Sequence, residues 1–379
     1  MDPIALTREL VRLDSRNPTL VPGGPGELAC ARFLASTLSA AGFRVEMHEA
    51  APGRPNVVAR IGRGDGPTIM LNGHLDVVGT EGMSHAPFAA EERDGRIYGR
   101  GSADMKAGVA AMCAAALRAG GADLAGEVII AAVCDEEYES LGTRALLERG
   151  VRADVAIVTE PTRLTVMPAH RGFVWTETTF RGRAAHGSRY DVGIDAIRHA
   201  ALVLSELDAH ERDVLVDRTH PLLGRASLHA STIEGGVGMS TYPERCVLAI
   251  ERRTIPGETT AMAVAEVEDA CARVRARVPA LDATVRLLTA QGPSDVPASS
   301  PLVHALLRAA EHNGLPPRVE GMSAWTDCAL LNDAGIPAIC FGPGDIALAH
   351  AAEEWVPVAE IETATNVLAR FIAEWCGRA

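Results

Sequence analysis

The sequence predicts an α/β fold of two domains, in which a mainly parallel-sheet domain is interrupted by an inserted α+β domain. Helix-like and strand-like segments alternate over the first 165 residues, the pattern that builds parallel sheets from βαβ units. Near Pro168 the pattern changes to strands that alternate like half-exposed ones, and it returns to the earlier character near residue 300. The 379 residues also exceed the usual size of a single hydrophobic core. The simplest division assigns 1–167 and 289–379 to the outer domain and 168–288 to the insertion.

In chain order, residues 25–41 place Leu28, Ala31, Leu34, Leu38 and Ala41 on one helical face, with Gly42 as the stop. Strands are expected at 55–61, 68–73, 127–134 and 153–159, with a Gly-rich loop and an Ala-rich helix over 105–119 among them. A short helix is expected at 141–149. The insertion carries alternating segments at 172–182 and 226–233, a similar one at 244–252, and helices near 192–210 and 259–277. A helix at 300–313, a buried strand at 337–341 and a final helix at 358–376 complete the chain.

Apolar residues make up 47% and charged residues 22%, ordinary for a soluble enzyme with a sizeable core. A net charge of −13 argues against nucleic acid and anionic membrane surfaces as partners. The first residues read as an amphipathic helix without the basic start of a signal peptide, so a cytoplasmic location is expected. The eight cysteines are scattered, without a Cys-x-x-Cys pair, which predicts buried free thiols.

Five sites place ionisable residues just past apolar strands or in the loops that follow them. His74 and Asp76 follow the run ending at Leu71. Residues two apart in extended chain face one side, so Asp76 could hold one ring nitrogen of His74 and leave the other for a metal. Asp104 lies in a Gly-rich loop before a helix, where a plain helix cap is the alternative. Asp135, Glu136 and Glu137 end the third strand. Such a cluster needs water, a helix start or cations to be tolerated. If extended, Glu136 and Glu137 diverge, so one could bind metal while the other faces a water. Glu160 ends the fourth strand before Pro161, and His350 follows a Gly-Pro-Gly turn. Open α/β sheets carry their sites along this edge. Two imidazoles and three carboxylates suit two divalent ions with one carboxylate bridging.

Gly-His-Leu-Asp-Val-Val, Gly-Arg-Gly-Ser-Ala-Asp-Met-Lys, Asp-Glu-Glu, Thr-Glu-Pro-Thr and Gly-Pro-Gly with a following Ala-His occur in this order. Gly-Arg-Ala-Ala-His-Gly-Ser (182–188) and Glu-Arg-Arg-Thr-Ile-Pro-Gly-Glu (251–258) stand between them. The set resembles the co-catalytic zinc metallopeptidase family of acetylornithine deacetylase, succinyl-diaminopimelate desuccinylase, aminoacylase and glutamate carboxypeptidase.

The resemblance implies a zinc-peptidase-like catalytic domain whose insertion is a lid and dimerisation domain. It implies that His74 and Glu160 hold one metal, Glu137 and His350 the other, and Asp104 both, with zinc first and cobalt or manganese compatible. Asp76 would orient His74, and Glu136 would be the general base. His186 would stabilise the oxyanion, often from the partner subunit of a homodimer, and Arg253 would bind the substrate carboxylate. Ser240 stands where relatives often carry an Asn that helps hold substrate or oxyanion. A cis peptide bond is implied after Asp104.

The implied activity is hydrolysis of the amide of small N-acyl amino acids, with a dipeptidase or glutamate-type carboxypeptidase as the alternative. A non-catalytic, metal-stabilised binding protein is the more distant one.

Overall fold

Four apolar runs supply the centre of the first unit of the structure, a computed structural model that describes residues 1–377. Strands Glu127–Val133, Thr68–His74, Val155–Val158 and Ala338–Cys340 lie side by side in that order, all parallel. Leu71 sits between Ile130 and Ile157 in register. Nearly every residue of these strands is buried. Helices cover both faces of such a sheet, so its strands are continuous apolar runs with no alternation. Helices Leu28–Ala40, Ala107–Arg118 and Val358–Trp375 contribute Leu34, Leu38, Ala111, Leu368 and Phe371 to the core, which also contains Ile69, Leu71 and Ile130.

The sheet extends past its parallel centre through antiparallel strands. Arg54–Gly62 pairs with Glu127–Val133, and Arg44–Ala51 forms the edge beyond it. The edge strand has no apolar alternation and no counterpart in the sequence prediction. Its backbone pairing to Arg54–Gly62 defines it, and hydrophobic pattern does not report that.

Helix Ala107–Arg118 begins two residues later than the pattern predicts, because Ser102–Lys106 forms a wider, irregular turn. Gly101 enters it with φ +81°, a conformation that favours glycine. The Asp104–Met105 peptide bond within the turn is cis. Gly108 has a different reason to be glycine: a Cβ there would lie 1.9 Å from the carbonyl oxygen of Thr159. The helix thereby rests directly on the end of Val155–Val158, beside Glu160.

The chain divides into two compact units. The first holds Met1–Pro168, Val296–Met322 and Thr326 onward; the second holds Ala169–Asp295 and Ser323–Trp325. The second unit has a four-stranded antiparallel sheet in the order Ser227–Gly235, Arg245–Thr254, Gly172–Arg181, Asp282–Gln291. The last of these is an exposed edge strand without a clean hydrophobic signal. Helices Ala196–Asp213 and Thr260–Arg277 begin at side-chain caps, Asp195 and Thr259, which accept N–H bonds from Arg198 and Met262. They bury Val203, Leu207, Val267 and Val274 with Phe180, Leu248 and Ile250.

The period of two along Arg245–Thr254 assigns neighbouring arginines to opposite faces. Arg252 points inward, 2% exposed, between Glu258 and Glu266, with its Nε 2.9 Å from Glu266 Oε2. Arg253 points outward. Truncating Arg252 would remove the buried cation between Glu258 and Glu266 and leave them the partly exposed Arg218, which pairs with both. Arg252→Ala is therefore expected to lower unfolding stability by roughly 3–5 kcal/mol, and Arg253→Ala by within about 0.5 kcal/mol. Denaturant titration of the two variants checks the contrast.

Candidate active site

The C-terminal ends of the four parallel strands converge in the first unit, and each delivers one or more ionisable side chains there. His74 closes its strand, Glu136 and Glu137 follow Val133, Glu160 follows Val158, and His350 lies beyond Cys340. Asp104 comes from the irregular turn. One oxygen of Asp104 faces each imidazole: Oδ1 is 3.0 Å from His74 Nε2, and Oδ2 is 3.5 Å from His350 Nε2. His74 Nε2 also lies 3.9 Å from both Glu136 Oε2 and Glu160 Oε1. On the other side, His350 Nε2 is 2.9 Å from Glu137 Oε2. Two overlapping sets, His74–Asp104–Glu137 and His74–Glu136–Glu160, keep their ligand atoms within 4.8 Å of one another, as a metal ion requires.

The local electrostatics favour a cation. Burial pushes the carboxyls of Glu136 and Glu160 well above the usual range, and neighbouring carboxylates add to this. Burial also raises Glu137, whose Oε1 is buried without a hydrogen-bond partner. Burial opposes charge on His74, yet its hydrogen bond to Asp104 and the nearby carboxylates outweigh it and raise the imidazole. His350 rises to about 10 through its bonds to Asp104 and Glu137. Burial would raise Asp104 too, but the two imidazoles hold it well below the carboxylate range. Divalent ions fit the same positions, since these donors are oxygen and imidazole nitrogen.

His74 is oriented for this. Its Nδ1 lies 2.9 Å from the carbonyl oxygen of Asp76. A carbonyl only accepts, so Nδ1 carries a hydrogen and Nε2 faces Asp104. The Asp76 carboxylate, the partner expected from the sequence, stands 3.7 Å from Nδ1. The strand ends at His74, so the period of two does not extend to Asp76. The Asp76 carboxylate accepts the backbone N–H groups of Glu136 (3.1 Å) and Glu137 (3.2 Å) instead. It aims the acidic loop.

Glu354 has a parallel task that pattern did not reveal. It is buried, and its Oε1 accepts the N–H groups of Ala103 (3.0 Å) and Asp104 (3.1 Å). Arg100 Nη1 donates to its other oxygen at 2.6 Å. Burial nevertheless pushes the Glu354 carboxyl up to about 7. The only available signal was its place four residues after His350, and nothing distinguished it from Glu353.

Three candidate residues belong to the second unit. His186 is exposed, with Nδ1 2.8 Å from Ser188 Oγ. It pairs with Thr241, and the Gly187 N–H donates to the carbonyl of Ser240 at 2.7 Å. His186 and Ser240 therefore share one patch, beyond the Arg245 end of its strand. Arg253 lies near the other end of that strand, opposite Phe173, with Nε 3.2 Å from Glu251 Oε1 and its guanidinium 5.7 Å from the Phe173 ring centre. At roughly 3.3 Å per residue, the stretch from Arg245 to Arg253 spans about 26 Å. His186 and Arg253 of one chain thus lie near opposite ends of that strand.

The model of the M20/M25/M40 peptidase family matches residues 70–374. This chain belongs to that family. An acetylornithine deacetylase of Myxococcus xanthus is 32% identical over 356 residues, covering 91% of each chain. An N-formyl-4-amino-5-aminomethyl-2-methylpyrimidine deformylase of Bacillus subtilis is 28% identical, covering 91% of this chain and 89% of that one. Among solved structures, an M20-family metallo-carboxypeptidase from Sulfolobus solfataricus superposes with a TM-score of 0.82 at 18% identity, covering 99% of both chains. Membership in a peptidase family makes the chain a hydrolase of amide bonds.

A dication that binds the folded cluster and not the unfolded chain should raise Tm. At a free concentration a hundredfold above Kd the gain is about 2.7 kcal/mol. Thermal melts of chelated protein with and without Zn²⁺, Co²⁺ or Mn²⁺ check this. No shift with any of them would remove the cluster as a metal site.

Proposed function

We propose that this chain is a metal-dependent amidohydrolase that cleaves the amide of N-acyl amino acids, in the manner of an acetylornithine deacetylase, using two divalent ions, zinc first. The observation that carries this is Asp104, with one oxygen toward His74 and the other toward His350. That is the arrangement of a carboxylate able to bridge two ions. His74 and Glu160 would complete one position, Glu137 and His350 the other. When bound, the ions supply Lewis acidity, polarising the scissile carbonyl and bringing a water's pKa toward neutrality.

Glu136 is the base. Its carboxylate stands at the cluster, with Oε2 3.9 Å from His74 Nε2, where it can take a proton from a water held there. It takes the proton of the attacking water and returns it to the leaving amine as the C–N bond breaks. Asp76 aims Glu136 and Glu137 through their N–H groups, and the Asp76 carbonyl fixes the His74 ring. Arg253 binds the substrate carboxylate through its planar fork. His186 stabilises the developing oxyanion, with Ser240 beside it. Their separation along one sheet supports a homodimer through the second unit, in which one subunit's Arg253 works with the partner subunit's His186. A cytoplasmic enzyme with a small-molecule substrate is consistent with the composition.

The deacetylase and deformylase relatives differ in acyl group, so substrate identity is a matter for assay. A panel of N-acetyl-ornithine, N-succinyl-diaminopimelate, other N-acyl and N-formyl amino acids and dipeptides should show one class cleaved, with activity lost on chelation and restored by metal. Dipeptide cleavage alone would favour the carboxypeptidase or dipeptidase alternative. Glu136→Ala should retain its metal and lose about 10²–10⁴-fold in kcat; wild-type kcat would remove it as the base. Mixing inactive His186→Ala with inactive Glu136→Ala should restore activity in verified heterodimers. Absence of rescue there would assign His186 to its own chain.

A further inference from the structure

A line of buried polar groups leads away from the cluster to the start of the chain, and the proposed chemistry does not use it. Asp76, which aims the acidic loop, is itself held by Asn17. The Asn17 side-chain amide donates to Asp76 Oδ2 at 2.8 Å and to Asp135 Oδ1 at 3.0 Å. Asn17 Oδ1 accepts the Thr19 N–H at 3.0 Å. Both N–H donors and the carbonyl oxygen are thus engaged in a side chain that is fully buried. Its backbone N–H donates to the carbonyl of Val77 at 2.9 Å, which ties the segment to the Asp76 turn.

An amide at this point solves a charge problem. Two carboxylates converge on it, and only a neutral double donor can satisfy both without adding a cation. Arg54 supplies the nearest positive charge from the far side, with Nη2 3.0 Å from Asp135 Oδ1 and Nε 2.7 Å from Glu27 Oε2. Asp135 in turn has φ +66°, unusual for a residue with a side chain. Its carbonyl accepts the Ser140 N–H at 2.6 Å and its Oδ2 the Glu139 N–H at 3.3 Å. That reversal brings the N–H groups of Glu136 and Glu137, the next two residues, onto Asp76.

We propose that Asn17 is a positioning residue for hydrolysis: by bonding Asp76 and Asp135 together, its side-chain amide fixes the loop that presents Glu136 and Glu137. This rests on the assignment of Glu136 as base and Glu137 as ligand. Arg54 and Glu27 anchor the Asp135 end of the same network. Asn17 touches no reacting atom and acts only through the carboxylates it joins.

Amide hydrogen exchange reads the effect without substrate or metal. In Asn17→Ala, exchange at Glu136 and Glu137 should quicken by about tenfold or more, while strand Thr68–His74 keeps its wild-type rates. With the substrate found by the panel, kcat per folded enzyme should fall about 10–100-fold and KM should move less than about threefold; folded enzyme is counted by bound Co²⁺, because unfolding alone would also lower apparent kcat at unchanged KM. Asn17→Ser, with one donor in place of two, should lie between wild type and Asn17→Ala, and it keeps the test decisive if the alanine variant does not fold. Binding of Co²⁺, followed by its visible absorption, should retain wild-type stoichiometry in both. Unchanged exchange at Glu136 and Glu137, exchange quickened across the whole sheet, or wild-type kcat would each overturn the proposal. Glu136→Gln measured alongside separates the two levels: wild-type kcat there removes the base assignment itself, whereas its inactivity beside a fully active Asn17→Ala removes only the role of Asn17.

Discussion

Four carboxyls and two imidazoles meet at one edge of an otherwise apolar sheet, and the first unit is arranged around that concentration of charge. Asp104 stands at its centre with an imidazole against each oxygen. Glu136, Glu137 and Glu160 surround it, each made harder to ionise by burial. Bringing buried anions this close is unfavourable unless cations share the space. The donors present suit divalent ions. The geometry that makes the cluster costly as a piece of folded protein is the geometry that makes it useful as a site.

Holding such a cluster falls to backbone N–H groups and to residues outside it. Asp76 gathers the N–H groups of Glu136 and Glu137, and Glu354 gathers those of Ala103 and Asp104. Both supports are buried carboxylates with partners of their own, Asn17 for Asp76 and Arg100 for Glu354. Close contact between elements does the rest. Gly108 lets its helix rest on the Thr159 carbonyl, which sets the turn bearing Asp104 beside the strand end bearing Glu160. Ligand spacing in this unit is therefore set by packing between elements that are far apart in sequence.

In the second unit a simple period of two separates a structural arginine from a functional candidate one residue away. Arg252 is enclosed by Glu258 and Glu266, and Arg253 faces outward beside Phe173. The length of the same strand keeps Arg253 and the His186–Ser240 patch apart. That spacing is what the proposed pairing of one subunit's Arg253 with the partner subunit's His186 rests on.

The parallel strands were legible in the sequence because buried strands are unbroken apolar runs, and an ionisable residue at the end of each stands out against such a run. His74, Glu136, Glu137 and Glu160 could be selected this way, Asp104 by its Gly-rich loop and His350 by the Gly-Pro-Gly turn before it, and their order along the chain carried the family resemblance. The edge strands Arg44–Ala51 and Asp282–Gln291 were not legible, since pairing partners define them and their own side chains do not. Nor was the Asp76 carboxylate's true partner, because the chain leaves the strand before reaching it. Asn17 and Glu354 lie in loops, where polar residues are common and usually solvated. The sequence by itself determined which local segments are apolar and where their charged ends fall, because both depend on residues within a few positions of one another. Which carboxylates meet, and which polar side chain aims them, was decided only by tertiary structure, since hydrogen bonds such as that from Asn17 to Asp135 join residues more than a hundred positions apart.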